Sequence, residues 1–433
     1  MARAMKDSGI PWIGEIPEGW SVRKLKSLAR IQTGNTPPKS DQETYYSDEG
    51  GYLWIKPENL GSANPIESTS EYLTKKGIDM ARTFPPKTIY VCCIASIGNT
   101  GYCLEEAACN QQINGLVFYE DYYWKYGYYV TLSQKEEYIL NSCGNVILII
   151  NTEKQKNLFL PYPPFNTQKR IASLLDAECT RIDAIIEKTR ASIEEYKRLK
   201  QAVITEAVTK GIRPGREMKD SGIAWIGEIP EEWGTNKIKY ISSEVGDGLH
   251  AAPEFSEDGD YYFINGNNLG EKQIKIKENT NSVSKTEYSK YNQPTLCANA
   301  ILIALNGTYG LVSFYNHEKV MLGKSAGFIN LFQIINRDYV RYALLSDYSK
   351  KQMDDSLAGT TIANVSLRTV RNLIITWPSN DEQIEISTYL DTKTKEFDDL
   401  LARKTEFISE LESYKKSIIY EYVTGKKEVR CGK

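Results

Sequence analysis

Three groups of residues are of types that do chemistry in other settings. Gly323-Lys324-Ser325 has the end of a phosphate-cradling loop, where glycine amides and a lysine surround phosphate oxygens. That loop needs a further glycine five positions before Gly323, and Glu318 stands there. Pro161-Tyr162-Pro163-Pro164-Phe165 has the outline of the polar-Pro-Pro-aromatic motif with which amino-methyltransferases hold a target amine. Tyr162 takes the polar place, the other half of the chain reads Trp377-Pro378-Ser379, and no glycine-rich cofactor turn accompanies either. A strand ending before a helix explains both. His250 and His317 are the only histidines and have no evident serine or cysteine nucleophile. The eight cysteines include no CxxC pair and no histidine partners, so there is no zinc pattern. Cys92, Cys93, Cys103, Cys109 and Cys143 crowd the first half, where a duplicated disulfide framework would not; they read as reduced thiols. The expectation is a chain without a catalytic site of its own.

The elements that would position any site are organised by a repeat. Met5–Trp20 reads MKDSGIPWIGEIPEGW and Met218–Trp233 reads MKDSGIAWIGEIPEEW, so 14 of 16 positions match and only Pro11/Ala224 and Gly19/Glu232 differ. Such self-similarity marks a tandem duplication and decides the architecture. Asn59-Leu60-Gly61 is echoed by Asn268-Leu269-Gly270, and Thr88–Gly98 by Ala300–Gly310. Gly144, Asn157, Leu158 and Pro163 recur 215 positions later as Gly359, Asn372, Leu373 and Pro378. Between opening and end each half is rich in short β-branched and aromatic runs. In the first these are Tyr52–Ile55, Thr88–Ile94, Leu116–Tyr119, Val146–Ile150 and Leu158–Tyr162, with helical spacing over Glu120–Cys143.

Each half closes on a long helix. No Pro or Gly occurs from Asn166 to Lys210, where Leu175, Ile182, Tyr196 and Val203 recur at multiples of seven. Ile171, Ile185, Ile186, Ile193 and Leu199 widen that stripe. The segment holds nine basic and seven acidic residues, interspersed, as in a solvated helix of a coiled-coil-like pair. Asn166 is the expected N-cap and Gly211 the stop. The pattern returns over Asn380–Thr424, with Leu390-Asp391 for Leu175-Asp176 and Phe397, Leu411 and Ile418 for Ile182, Tyr196 and Val203. There Asn380 and Gln383 have the form of a capping box and Gly425 is the stop.

Bulk properties narrow the class. Apolar and charged contents of 41 % and 25 % are those of a globular protein, and the longest apolar runs, Val146–Ile150 and Ile301–Leu305, are of strand length. The start, MARAMKDSG, has no signal-peptide core, so a cytoplasmic protein without membrane contact is expected. A net charge of −3 argues against coating nucleic acid by bulk electrostatics, though not against a local patch. The 29 tyrosines read mainly as core.

The doubled KDSGIxWIGEIPExW opening and the doubled Leu-Asp-bearing helix, ending in VITEAVTKG and IIYEYVTGK, resemble the specificity subunit of type I restriction-modification enzymes. The resemblance covers essentially the whole chain. It implies an α+β (mixed α/β) fold: two strand-rich target recognition domains joined by two long antiparallel coiled-coil-like helices in a pseudo-two-fold tandem repeat. The expected segments are 1–165 and 213–379 for the two domains, 166–212 and 380–427 for the spacer helices, and 428–433 for a tail. It further implies double-stranded DNA as ligand, each domain reading half of a bipartite site. Methyltransferase subunits would dock on the scaffold and a restriction/translocase subunit would join them. S-adenosylmethionine, ATP and magnesium would belong to those partners, and this subunit would hold no cofactor. Helix length would then set the gap between half-sites. A self-contained methyltransferase or nuclease, or a coiled-coil adaptor for protein or glycan, are the rival classes; S-adenosylmethionine binding by the isolated chain would favour the former.

Base readers are expected among polar loop residues that differ between the halves, since base edges in the major groove specify sequence while phosphate contacts only position. In the first half these are Lys39, Lys56, Asn59, Ser96, Asn99, Gln111 and Gln112. In the second they are His250, Asn265, Asn267, Asn306 and Lys324.

Overall fold

A computed structural model of the chain describes residues 3–144, 147–357 and 363–429. The two Pro- and Gly-free segments form continuous helices, Phe165–Lys210 and Asn380–Val423. The caps lie two residues before Asn166 in the first helix, at Pro164, and one before Asn380 in the second, at Ser379. Amide groups of Thr167 and Gln168 donate to the Pro164 carbonyl, which leaves Asn166 inside the first turn. In the second helix Ser379 is the cap: its Oγ accepts from the Glu382 amide at 3.4 Å. Gln383 does not close a capping box on Asn380; its Nε2 donates to the Pro378 carbonyl at 3.0 Å, as Gln168 does to Pro163 at 2.9 Å. The preceding strand's proline carbonyl outcompetes the local cap in both copies. At the far ends Gly211 and Gly425 each take φ of +75°, and a Cβ on Gly425 would lie 2.6 Å from Pro17. A left-handed turn against the opening motif leaves room for glycine alone.

The chain divides into two compact units, Met1–Arg190 with Thr405–Lys433, and Ala191–Lys404. Each therefore contains one strand-rich module and part of both long helices. In the first unit, Ser21–Lys24 pairs antiparallel with Phe159–Tyr162. An antiparallel sheet follows in the order Thr100–Tyr102, Ile89–Cys92, Ile113–Phe118, Ala29–Thr33. A second sheet contains the chain's first parallel pair, Tyr52–Ile55 beside Ala107–Cys109. The second unit repeats this. Gly234–Lys237 pairs with Ile374–Trp377, and a four-stranded sheet runs Ser242–Asp247, Ala326–Leu331, Ala300–Ala304, Val312–Phe314. Tyr261–Ile264 lies parallel to Val320–Leu322. The expected strand Val146–Ile150 does not form: Val146 lies outside the described residues, and of the rest only Ile149 makes bridges. The helical region Glu120–Cys143 is two helices, Trp124–Ser133 and Lys135–Leu140.

The repeated motif is a small hairpin whose apolar residues join module to helices. In the first unit Ile13, Ile16 and Trp20 are buried with Ile171, Leu175, Ile418 and Val423. In the second, Ile226, Ile229 and Trp233 are buried with Ile204, Val208, Ile386 and Leu390. Helix pairing is antiparallel within each unit. Lys415 meets Asp183 at 2.6 Å and Arg190 meets Glu412 at 3.1 Å in the first; Lys200 meets Asp398 at 2.6 Å in the second. Ile182 and Ile186 are buried, but Ile185 and Leu199 are exposed: at 100° per residue they fall on the outer face. Among the described residues no helix is long and apolar enough to cross a membrane.

The doubled Leu-Asp finds its role here. Leu175 and Leu390 are buried, and each following aspartate receives a tyrosine hydroxyl from its module's helix: Tyr129 to Asp176 and Tyr342 to Asp391, both at 2.6 Å. Burial, and then the aspartate, push both phenol pKa values well above the ordinary tyrosine value. A cation completes each joint, Lys125 at 3.3 Å from Asp176 and Lys272 at 2.6 Å from Asp391. Tyr129→Phe is expected to destabilise the first unit, and Tyr342→Phe the second, by about 2 kcal/mol, the worth of a hydrogen bond to a charged group. Urea unfolding measures this, and a loss below about 0.5 kcal/mol, the scale of a neutral surface change, would contradict the role.

Candidate nucleic-acid interface

In both modules the candidate readers, Lys39 excepted, collect at one place, the carboxyl ends of the parallel strand pair. Register sets Cys109 against Ile55 and Leu322 against Ile264, so two loops leave each pair at the same level. A third loop passes over them. A Cβ on Gly34 would lie 2.1 Å from the Cys109 carbonyl, and one on Gly248 2.1 Å from the Leu322 carbonyl. Only glycine permits that approach, and it brings Thr36 and His250 to corresponding positions.

In the first module the Asn110 amide donates to the Ile55 carbonyl at 3.1 Å. Lys56 follows, with its ammonium 2.9 Å from Glu71. Asn59 is a turn cap: its Oδ1 accepts from the Lys56 amide at 2.8 Å. Gln111 is exposed and its Oε1 accepts the Thr36 hydroxyl. Gln112 is held by Asn110, whose Nδ2 donates to its Oε1 at 3.0 Å. Ser96 and Asn99 occupy the turn between Ile89–Cys92 and Thr100–Tyr102, tied in where the Cys93 amide donates to the Gln112 carbonyl at 2.8 Å. Ser96 is exposed, while Asn99 Oδ1 accepts from Lys135 at 2.8 Å. Lys39, on the turn Lys39–Asp41, is exposed and makes no hydrogen bond or ion pair with this cluster among the described residues.

All five candidates of the second module come together. Gly323 donates to the Ile264 carbonyl at 2.8 Å and Leu249 to the Leu322 carbonyl at 2.7 Å, which places Lys324, Asn265 and His250 on adjoining loops. Ser325 Oγ donates to Asn265 Oδ1 at 3.0 Å and accepts from the Gly266 amide at 2.9 Å. Asn306 joins through Leu305, whose amide donates to the Ser325 carbonyl at 3.0 Å. His250 Nε2 lies 2.8 Å from Asp247 Oδ2. Asn267 and Lys324 are exposed and free to reach outward.

Asn35, Thr36, Arg82 and Ser325, which the sequence does not single out, also stand at these clusters. Asn35 Oδ1 accepts from the Arg82 amide at 2.5 Å, and the Arg82 guanidinium donates to the Thr33 carbonyl. The turn Thr33-Gly34-Asn35, ending a strand, was the available signal; Arg82 comes in from far along the chain and leaves none.

The look-alike motifs resolve as structure. Gly323–Ser325 is a tight turn between strands, closed by Ala326 N on the Gly323 carbonyl at 2.9 Å, and no helix follows it. Tyr162 ends a strand with its hydroxyl 2.9 Å from Asp121 and Arg23 over its ring at 3.6 Å. His317 stands apart at φ +66°, its ring against Tyr315. Burial pushes the Cys93 thiol up to about 12, and the Cys92, Cys103 and Cys109 thiols also upward, away from nucleophilic thiolate. What the clusters offer is amides, hydroxyls and cations on adjoining loops, the groups that pair with base edges.

Comparison with known proteins gives the same organisation. The family model described as type I restriction modification DNA specificity domain matches twice, over residues 17–195 and 230–410. The chain is 25 % identical to the type I restriction enzyme MjaVIII specificity subunit of Methanocaldococcus jannaschii, over 96 % of this chain and 94 % of that protein. It is 24 % identical to the EcoBI specificity subunit of Escherichia coli, over 93 % and 86 %. In fold it is similar to a chain from a structure on complex assembly and conformational transition of the type I R-M system, with TM-score 0.72 and 16 % identity over 95 % of this chain and 99 % of that one. The HsdS subunit of Thermoanaerobacter tengcongensis gives a TM-score of 0.51 at 14 % identity, over 95 % and 98 %.

Proposed function

Because the chain belongs to the family of type I restriction-modification DNA specificity proteins, we propose that its two strand-end clusters each read one half of a bipartite site in double-stranded DNA. The subunit is non-catalytic: it recognises DNA and assembles with other subunits of a restriction-modification complex. One observation carries the two-half reading. Equivalent backbone positions, the loops after parallel strands, present Lys56, Gln111 and Gln112 in one module but Asn265, Lys324 and Ser325 in the other. A repeated scaffold with unlike polar readers suits two different sequences.

The partners are methyltransferase subunits, with a restriction/translocase subunit joining them in the cytoplasm. S-adenosylmethionine, ATP and magnesium are held by those partners. Exposed apolar side chains on the long helices, Ile185, Phe407 and Tyr414 in the first unit and Leu199 and Ile384 in the second, support docking there. The helices act as the spacer between half-sites. A change of spacer length belongs at Arg190/Ala191 and Lys404/Thr405, where both helices pass from one unit to the other. Insertion after Val208 would instead fall in the second unit's core, where the Val208 carbonyl accepts the Thr376 hydroxyl.

The test uses the complex with its methyltransferase. Lys324→Ala is expected to relax one position of the second half-site by about tenfold or more, the scale of a bidentate base contact, and to leave the first unchanged. Gln111→Ala should do the converse. Competition binding on single-base duplex variants measures both. Uniform weakening over all sequences, with a salt slope lower by about one, would make either residue a phosphate contact instead.

A further inference from the structure

One surface of the first module is explained neither by packing nor by the cluster above. Ile147, Leu148 and Ile149 are 55 %, 38 % and 44 % exposed. Backbone bonds hold the segment, so its side chains are left on display. Ile149 bridges both Ile94 and Cys143, and the Ala95 amide donates to the Leu148 carbonyl at 3.1 Å. The segment thus runs along the turn that carries Ser96, whose start is tied to Gln112 by the Cys93 amide at 2.8 Å. Ala95 sits at φ +62°, where Gly307 of the second module takes +65°. A left-handed residue with a Cβ is strained and persists only where its surroundings fix it; the Leu148 contact does so.

We propose that Ile147–Ile149 is an apolar base-reading edge that takes thymine C5-methyl groups in the major groove of the first half-site. The inference rests on the DNA reading above and adds the chemistry of what one module reads. The thymine methyl is the apolar group displayed on major-groove base edges, and apolar side chains are its partners. The occupant is DNA rather than a partner subunit because of the asymmetry between halves. A subunit docked alike on both halves needs like surfaces on both. The positions 215 later read Ile362-Ala363-Asn364. Asn364 makes with Asn306 the bridge that Ile149 makes with Ile94. One backbone arrangement therefore carries three exposed apolar side chains in one module, and Ala363 and Asn364 in the other, which fits two readers of different bases.

The test begins from the first half-site as mapped by methylation. Duplexes with deoxyuridine in place of each thymine, on either strand, are titrated with the methyltransferase-bound complex. At least one replacement in that half-site should weaken binding about fourfold, the worth of burying one methyl group. The double variant Ile147→Ser/Leu148→Asn should bind more weakly and treat uracil and thymine alike there, with the second half-site and methyltransferase association unchanged. A half-site without thymine, equal binding of both bases by the parent, or a variant that keeps the thymine preference would overturn the proposal. So would loss of methyltransferase association, which would make the edge a protein contact. Failure of the underlying reading shows separately, as Gln111→Ala and Gln112→Ala variants that leave the first half-site untouched.

Discussion

Ile182→Asp is expected to unfold the first unit, whereas Ile185→Asp, three residues on, leaves it folded. Ile182 is 2 % exposed and packs in the core formed by both long helices, the opening hairpin and the module, with Leu175, Ile186 and Ile418. A carboxylate there loses the transfer free energy of the isoleucine and is buried without a partner, since Lys415 already serves Asp183. The combined cost exceeds about 4 kcal/mol, against about 5–15 kcal/mol for a whole domain. Ile185 is 37 % exposed on the outer face of the same helix. Its replacement by Asp should change folding stability by no more than about 0.5 kcal/mol, yet weaken association with the methyltransferase. Urea unfolding and co-elution in size-exclusion chromatography separate the outcomes. A stable Ile182→Asp chain would mean that the helix seam does not hold the unit together.

What could be read from the sequence was what repeats. Two copies of an opening motif and two Pro- and Gly-free segments placed both long helices to within a residue or two, because periodicity over some 45 residues outweighs any local ambiguity. Their caps are displaced, by two residues in the first helix and one in the second, because the Pro164 carbonyl and the Ser379 hydroxyl, contributed by the strand-to-helix turn, engage the first amides. Val146–Ile150 has strand composition, but Gly144 turns the chain before it and Asn151 caps a helix after it, so little length remains for pairing. In the candidate interface the five candidates of the second module share one cluster, to which Ser325, not singled out by its sequence, also belongs. In the first, Asn59 caps a turn, a use of asparagine that its sequence does not distinguish from base reading. Lys39 is a candidate by its loop position and lies on the turn Lys39–Asp41. Arg82 was missed because its place beside Asn35 is a long-range contact without local pattern. The role of Leu-Asp was hidden for the same reason: the partner tyrosines lie 47 and 49 residues away.

The claim that two modules each read one half of a site predicts the largest change of all. Residues 21–164 carry the first module's sheets and its whole polar cluster. The hairpin Met5–Asp7/Glu15–Pro17 and both long helices lie outside that range. Exchange for the corresponding segment of another specificity subunit should therefore alter the first module's base contacts and leave the second module and the spacer untouched. Several base contacts, each worth about 1–3 kcal/mol, would be replaced together, so discrimination in that half-site should shift by about a thousandfold or more. The strand Ser21–Lys24 must still pair with Phe159–Tyr162, and both travel with the segment. The measurement is methylation mapping across the genome of a host that carries the parent or the exchanged chain together with its methyltransferase. The expected result is a two-part motif in which one half changes completely while the other half and the gap stay as they were. A motif that changes in both halves, or in neither, would contradict it.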